Sequence, residues 1–182
     1  MSRPSSKLRS QLLLGLIIFL WAVEILDHYG LGQSLDRYGI QPRQLIGLRG
    51  IVLAPFLHGG FAHVLANALP LAGLGWLVLK TGPWVSVSVY SGLSAGLGTW
   101  LLAPAGSNHI GASGLVTGYL GFLLRRSLSD RDWGKTGLWL LLLLLLGLEG
   151  QNALSWHSHL FGFMGGVLAA GDDRSDPTPR PD

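Results

Sequence analysis

Side chains that could form a nucleophile and a base lie within otherwise apolar stretches of this chain. Ser113 stands in the string GASG, and His157 and His159 open the last apolar stretch. A serine becomes a useful nucleophile when a neighbouring imidazole takes its proton. Polar groups inside a membrane are costly and by default line a cavity with a function. These residues therefore predict acyl-transfer chemistry.

A second polar group, His58, His63 and Asn67, could stabilise negative charge. His63 and Asn67 are four residues apart, so they share one helical face and can direct two donors at one point. In this interpretation Ser113 attacks a carbonyl, and His159 takes its proton and passes it to the leaving amine. His63, Asn67 and the backbone N–H of the serine would then hold the oxyanion.

Glycine spacing favours His159 over its neighbour as the base. Gly114 and Gly118 form one small-residue ridge, and Gly162 and Gly166 form another. Such ridges let two membrane helices approach backbone to backbone, which a hydrogen bond from a short serine to an imidazole on the next helix requires. His159 is three residues before its ridge and on the same side. The other histidine, two residues earlier, falls off that face.

The composition is that of a membrane protein. Of the 182 residues 48% are hydrophobic and only 13% are charged, and the mean hydropathy is +0.40. With no cysteine there is no disulfide, thiolate nucleophile or thiolate metal site, and we expect neither metal nor cofactor. The net charge of +3 comes from basic residues that flank apolar runs, which predicts contact with membrane lipid and not with nucleic acid.

The apolar runs predict an all-α polytopic membrane protein with six transmembrane helices. A basic terminus (1–10) precedes one domain (11–171), and a polar, proline-rich tail (172–182) is expected to be disordered. The segment from Asp27 to Leu57 is too broken to span and is expected to be a structured loop at the interface. The third span is rich in serine and glycine, so we expect it to be buried among other helices. The predicted spans are 12–26, 61–79, 84–103, 112–126, 133–148 and 156–170.

Charge sorting predicts the orientation. Basic residues crowd the loops on one side, which the positive-inside rule makes cytoplasmic, with both termini there. Ser113 and His159 then lie just below the outer surface. Glu24 is the only carboxylate that could lie within a span, so a Ser-His dyad is expected in place of a triad. The basic residues of the cytoplasmic side are Arg3, Lys7, Arg9, Lys80, Arg125, Arg126, Arg131, Lys135, Arg174 and Arg180, and those of the outer side are Arg37, Arg43 and Arg49.

Three strings in order, HGGFAHVLAN (58–67), GASG (111–114) and HLFGFMGG (159–166), resemble the signatures of the rhomboid family of intramembrane serine proteases. The resemblance covers about residues 39–170 and implies a six-helix rhomboid fold. We expect a bacterial inner membrane, because the chain is compact and carries no added soluble domain. It implies cleavage of transmembrane protein substrates without a cofactor by a Ser113–His159 dyad. It further implies oxyanion stabilisation by His63, Asn67 and the Ala112 backbone, with supporting residues His58, Gly111, Gly114, Gly162 and Gly166.

The chain departs from the family pattern at two places. Leu48-Arg49 stands where many rhomboids have Trp-Arg, and Thr117 stands where many have an aromatic that stacks on the catalytic histidine. Tyr119 is expected to point elsewhere by helical geometry. These departures bear on how the first loop is anchored and how His159 is oriented.

Two other functions are compatible with parts of the pattern. A catalytically inactive rhomboid-like protein would bind transmembrane helices, but such proteins usually lack one member of the Ser-His pair. A small transporter or channel could use buried histidines as a proton relay. Transporters often show repeated halves, which this sequence lacks.

Overall fold

The computed structural model describes residues 6–81, 83–149 and 156–172. The predicted tail and the loop before the last helix lie mostly outside these residues. The described part is helical, with three 3₁₀ turns (Leu35–Tyr38, Leu45–Arg49 and Ala54–Phe56) and one antiparallel bridge between Ile40 and His109. The helices are α1 (Ser6–Gly30), α2 (Gly50–Leu53), α3 (Phe61–Thr81), α4 (Trp84–Leu102), α5 (Ser113–Asp130), α6 (Trp133–Glu149) and α7 (Trp156–Asp172).

The six long helices occupy the six segments in which the sequence predicts spans, and they differ from the prediction mainly at their ends. Helix α1 begins six residues earlier and ends four residues later than predicted, because polar residues at both ends continue a helix that an apolar run alone does not delimit. Helix α5 continues to Asp130 and is ended by Arg131 in the left-handed conformation at φ 55°. Apolarity marks the part of a helix inside lipid, and capping marks its end.

Three helices are long and apolar enough to cross a membrane by length and composition within the described residues: Lys7–Gly30, Phe61–Thr81 and Trp84–Leu102. Helix α5 has a different role. Its residues from Val116 to Leu124 are all buried, so α5 is the centre of the bundle and does not need an apolar surface. The apolar part of α6, Trp133–Leu145, is shorter.

Helix α4 corrects the expectation that the third span is buried on all sides. The buried face carries small and polar residues, among them Ser91, Ala95 and Gly98. A Cβ on Gly98 would overlap the Phe161 ring of α7. The opposite face is exposed and apolar, so α4 is a peripheral helix with one packed face. Every fourth residue of the exposed face is Val85, Val89, Leu93, Leu97 and Leu101.

The predicted glycine ridges meet as expected. A Cβ on Gly162 would overlap the carbonyl oxygen of Gly114, and a Cβ on Gly166 would overlap that of Gly118. The residue numbers of the contacting pairs increase in the same direction along both helices, so α5 and α7 are parallel. Helix α3 is parallel to them as well, because its first turn meets the start of α5 while Gly75, further along, meets Tyr119.

The α1–α3 connection (residues 31–60) is folded against α4 and the loop before α5, which confirms the prediction of a structured loop. The Arg43 N–H donates to the Trp100 carbonyl at 3.0 Å, and the Trp100 indole donates back to the Gln44 carbonyl at 2.9 Å. The Arg49 guanidinium lies 4.4 Å from the centre of the Tyr38 ring. A tryptophan from α4 thus anchors this connection.

We predict that Gly166→Ala destabilises the protein by about 1–3 kcal/mol, because a methyl group would force the α5 and α7 backbones apart. Helix propensity alone favours alanine, so the loss would report packing. Thermal unfolding in detergent measures the effect. The matched control is Gly73→Ala, at an exposed position within α3 that has open space around a Cβ. Equal melting temperatures for the two variants would contradict the packing argument.

Candidate active site

Ser113 is the first residue of α5, and the backbone before it is fixed by α3 and by the α1–α3 connection. Gly111 has φ +111°, a conformation that favours glycine, and its N–H donates to the Ala54 carbonyl at 2.8 Å. Ala112 is the N-cap and is buried. Ser113 itself is partly buried. The Ser113 hydroxyl therefore lies at the start of a helix, and contacts from other elements fix the backbone that leads into this helix.

His63 and Asn67 converge on this backbone. A Cβ built on Gly111 would lie 2.8 Å from His63 Nε2 and 3.8 Å from Asn67 Nδ2. His63 and Asn67, which the sequence predicts on one face of α3, thus lie beside Gly111, two residues before Ser113. The absence of a side chain at Gly111 is what makes room for the imidazole.

A backbone hydrogen bond indicates the tautomer of His63. The Gly59 N–H donates to His63 Nδ1 at 3.2 Å, so Nδ1 is unprotonated and the neutral ring carries its proton on Nε2. The Asn67 amide donates to the His63 carbonyl at 2.9 Å, and its Oδ1 is buried with no hydrogen-bond partner among the described residues. His63 therefore presents an N–H toward Gly111.

His58 packs behind this pair. Its ring meets that of His63 edge to face, with centroids 5.1 Å apart, and its Nε2 lies 3.4 Å from the Ala112 N–H, which donates to it. Burial, and then the neighbouring His63, lower the pKa of His58 to about 4, against a smaller opposing effect of the Phe56 backbone. His58 is therefore neutral near pH 7. The hydrogen bond to His58 occupies the Ala112 N–H, which we predicted as an oxyanion donor. The Ser113 N–H is the next backbone donor, and like the other first-turn amides of a helix it has no intrahelical acceptor.

The first turn of α7 lies against the start of α5. A Cβ on Gly114 would be 2.7 Å from the Ser158 hydroxyl and 3.4 Å from the Ser158 carbonyl. Gly162, one turn later, touches the Gly114 carbonyl. His159 belongs to this turn and is partly buried, so Ser113 and His159 stand at the same level of adjacent helices.

His157 has different surroundings. It is buried, and its ring lies 3.7 Å from that of Trp156 between centroids. Burial and, to a lesser extent, the nearby His157 lower the pKa of His109, whose Nε2 lies 2.8 Å from the Ser107 hydroxyl. His157 therefore faces the loop before α5.

Neither residue considered for orienting the histidine of α7 has a hydroxyl free for it. The Thr117 hydroxyl donates to the backbone carbonyls of Ser113 and Gly114, at 3.0 and 3.2 Å. The Tyr119 hydroxyl is 2.7 Å from Ser88 on α4, which confirms that this ring points elsewhere. Thr117 thus stabilises the turn of α5 that begins with the nucleophile candidate.

A small open cleft lies beside the start of α5, and its lining includes Gly111 and Gly114 but not Ser113 or His159. Gly92, Ala95 and Gly96 of α4 form one wall, and Gly111 and Gly114 form another, with Ser158 also in its lining. Sequence reasoning missed Ser158, because a single serine beside two histidines carries no spacing signal.

Comparison with known proteins gives a consistent result. The family model described as "Rhomboid domain" matches residues 46–171. An uncharacterized protein of Mycobacterium tuberculosis is 36% identical over 186 residues, covering 92% of this chain and 76% of its own length. One from Mycobacterium leprae is 37% identical, with coverages of 87% and 68%. The rhomboid protease GluP of Bacillus subtilis is 29% identical, with 76% of this chain matching 29% of that longer protein.

The lowered pKa of His58 predicts a pH-dependent stability. An unfolded chain binds a proton at this imidazole below about pH 6.5, while the folded protein binds it only near pH 4. The stability that neutral His58 contributes is therefore complete above pH 6.5 and is lost as the pH falls from 6.5 toward 4. The difference in melting temperature between wild type and His58→Gln should shrink over this range. His28→Gln, at an exposed histidine, is the control, and a difference that is the same at pH 7.5 and pH 5 would refute the assignment.

Proposed function

Because the chain belongs to the rhomboid family, we propose that it is an intramembrane serine endopeptidase in which Ser113 is the nucleophile and His159 is the general base. The observation that carries this proposal is the backbone contact between Gly114 and Gly162. Ser113 directly precedes one of these glycines, and His159 lies one turn before the other. A short serine side chain can reach an imidazole on another helix only across such a close approach.

In the proposed mechanism His159 accepts the Ser113 proton as the oxygen attacks the peptide carbonyl. The acyl-enzyme forms when His159 gives this proton to the leaving amine. Water then enters, loses a proton to the same imidazole and releases the new carboxylate as Ser113 regains its proton. No third triad member is required if packing orients the base.

The negative charge that develops on the carbonyl oxygen is proposed to be held by three donors. The contact between Gly59 and His63 Nδ1 supports His63 Nε2–H as one of them. Asn67 Nδ2 and the Ser113 backbone N–H are the others, since both lie beside the Gly111 turn. Donors arranged before the reaction stabilise the charge without a cost of reorganisation.

The protein is an integral membrane protein, and its proposed substrates are transmembrane segments of other proteins. We place the site near the outer face of a bacterial inner membrane, with both termini cytoplasmic, from the distribution of basic residues. The cleft beside Gly111 and Gly114 offers a space that an unwound substrate segment could enter. Helices are protected from hydrolysis by their own hydrogen bonds, so local unwinding must precede attack.

A catalytically inactive protein that binds transmembrane helices is the second candidate. It would use the same cleft without chemistry. The presence of both Ser113 and His159 in adjacent turns favours the protease, and cleavage itself distinguishes the two.

We expect purified protein in lipid vesicles to cleave a transmembrane substrate, and Ser113→Ala and His159→Ala to reduce the rate at least about 1,000-fold, because the nucleophile and base act as a unit. Gel analysis of the products measures this. Ser86→Ala, at an exposed serine of α4, and His157→Ala, at the neighbouring histidine, should retain most of the activity. Cleavage that survives Ser113→Ala, or that is lost in His157→Ala but kept in His159→Ala, would overturn the assignment.

A second prediction concerns Gly111→Ala. The new methyl group would lie only 2.8 Å from His63 Nε2 and displace the ring, so kcat should fall on the order of a hundredfold, as when one oxyanion donor is lost. The matched control is Gly106→Ala in the same loop, which also has positive φ but open space around its Cβ. Similar losses in both variants would attribute the effect to backbone strain and contradict the steric argument.

A further inference from the structure

The carboxyl group of Glu24 is buried within α1 and has no part in the proposed mechanism. Its residue is only 2% exposed. Burying a carboxyl group is costly unless it is hydrogen-bonded. The group must therefore have a specific partner, and that partner identifies what it does.

The partner of Glu24 is the turn that precedes α3. The Glu24 carboxyl lies against the Gly60 backbone N–H, and Asp27, Asp36 and His28 are the neighbouring charged or titratable groups. Asp27 has its own partner, because its Oδ1 accepts from the Leu35 N–H at 2.9 Å. Glu24 and Asp27 thus hold opposite ends of the α1–α3 connection.

The same end of α1 also encloses the first side chain of α3. The Phe61 ring stacks on Trp21, with centroids 6.3 Å apart and planes 14° from parallel. It further contacts the rings of His28 and Tyr29, at 4.9 and 6.0 Å between centroids. Phe61 directly follows Gly60, so a polar and an aromatic contact fix two consecutive residues of one turn.

The Gly59–Gly60 turn also contacts the His63 ring. Gly60 has φ +119°, and the residue before it, Gly59, donates the hydrogen bond to His63 Nδ1. If the Gly59–Gly60 backbone rotated, this donor would leave the imidazole. Either ring nitrogen could then carry the single proton of the neutral imidazole. Only the tautomer with the proton on Nε2 presents an N–H to Gly111.

We propose that Glu24 is a positioning residue that holds the Gly59–Gly60 turn and thereby fixes the tautomer and orientation of His63. This inference rests on the proposed function for its effect on catalysis, because His63 matters there as an oxyanion donor. A carboxyl group offers an accepting oxygen whether it is ionised or neutral, and the amide of glutamine offers one too. Leucine fills a similar volume and offers none.

Kinetics distinguish positioning from simple structural support. Glu24→Leu should lower kcat about tenfold with little change in KM, because a misoriented donor weakens transition-state stabilisation only. Glu24→Gln should restore most of kcat. In a His63→Ala background Glu24→Leu should have no further effect on kcat, since the group it orients is absent.

Tyr119→Phe is the matched control for loss of a buried polar contact. It removes the hydroxyl that contacts Ser88 on α4, about 9 Å further along α5 than Ser113. In the double variant, the effects of Tyr119→Phe and Glu24→Leu on kcat should multiply, because the two contacts are independent. A Gln variant as impaired as the Leu variant, or a Glu24→Leu loss that persists undiminished in the His63→Ala background, would overturn the proposal.

A spectroscopic measurement tests the inference without any activity. In protein labelled with ¹⁵N-histidine and assigned by comparison with His63→Ala, the His63 ring should show an unprotonated Nδ1 and a protonated Nε2 near pH 7.5. Glu24→Leu should give a mixture of tautomers, and Glu24→Gln should resemble wild type. Unchanged His63 signals in Glu24→Leu would refute the positioning role, whereas an inactive wild-type protein with these signals would refute the proposed function alone.

Discussion

The direct contact between the backbones of α5 and α7 is the constraint on which the rest of the structure depends. Gly114 and Gly118 face Gly162 and Gly166 so closely that no side chain fits between them. In lipid no hydrophobic force draws helices together, so close packing of small residues must do so. The contact fixes the relative height of the two helices and, with it, the level at which Ser113 and His159 stand.

Around this pair the molecule holds the start of α3 from two directions. On one side Gly111, which lacks a Cβ, gives His63 its place. On the other, Glu24 and the rings around Phe61 secure the turn in front of α3. Backbone turns thus position the polar residues of the site. The apolar parts of the helices mainly bring these turns to the same depth in the bundle.

Much of this arrangement could be predicted from the sequence, because it depends on local spacing. Six apolar runs predicted six long helices, and pairs of glycines four residues apart predicted which helices touch. The two-faced character of α4 was not predicted, because its serines and glycines obscured a stripe of valine and leucine every fourth residue. Glu24 and Ser158 were not assigned roles, since their partners are distant in the chain and only the tertiary fold brings them together. The Ser113–His159 dyad remains a prediction from motif and spacing.

The parallel direction of α3, α5 and α7 has an electrostatic consequence. All three begin at the site, with Phe61, Ser113 and Trp156 as their first residues. Each α-helix carries a partial positive charge of roughly half an elementary unit at its amino end, from aligned peptide dipoles. Three such ends directed at one region make the potential there positive before any side chain contributes. A negative oxygen formed beside Ser113 would be stabilised by the direction in which the chain crosses the bundle.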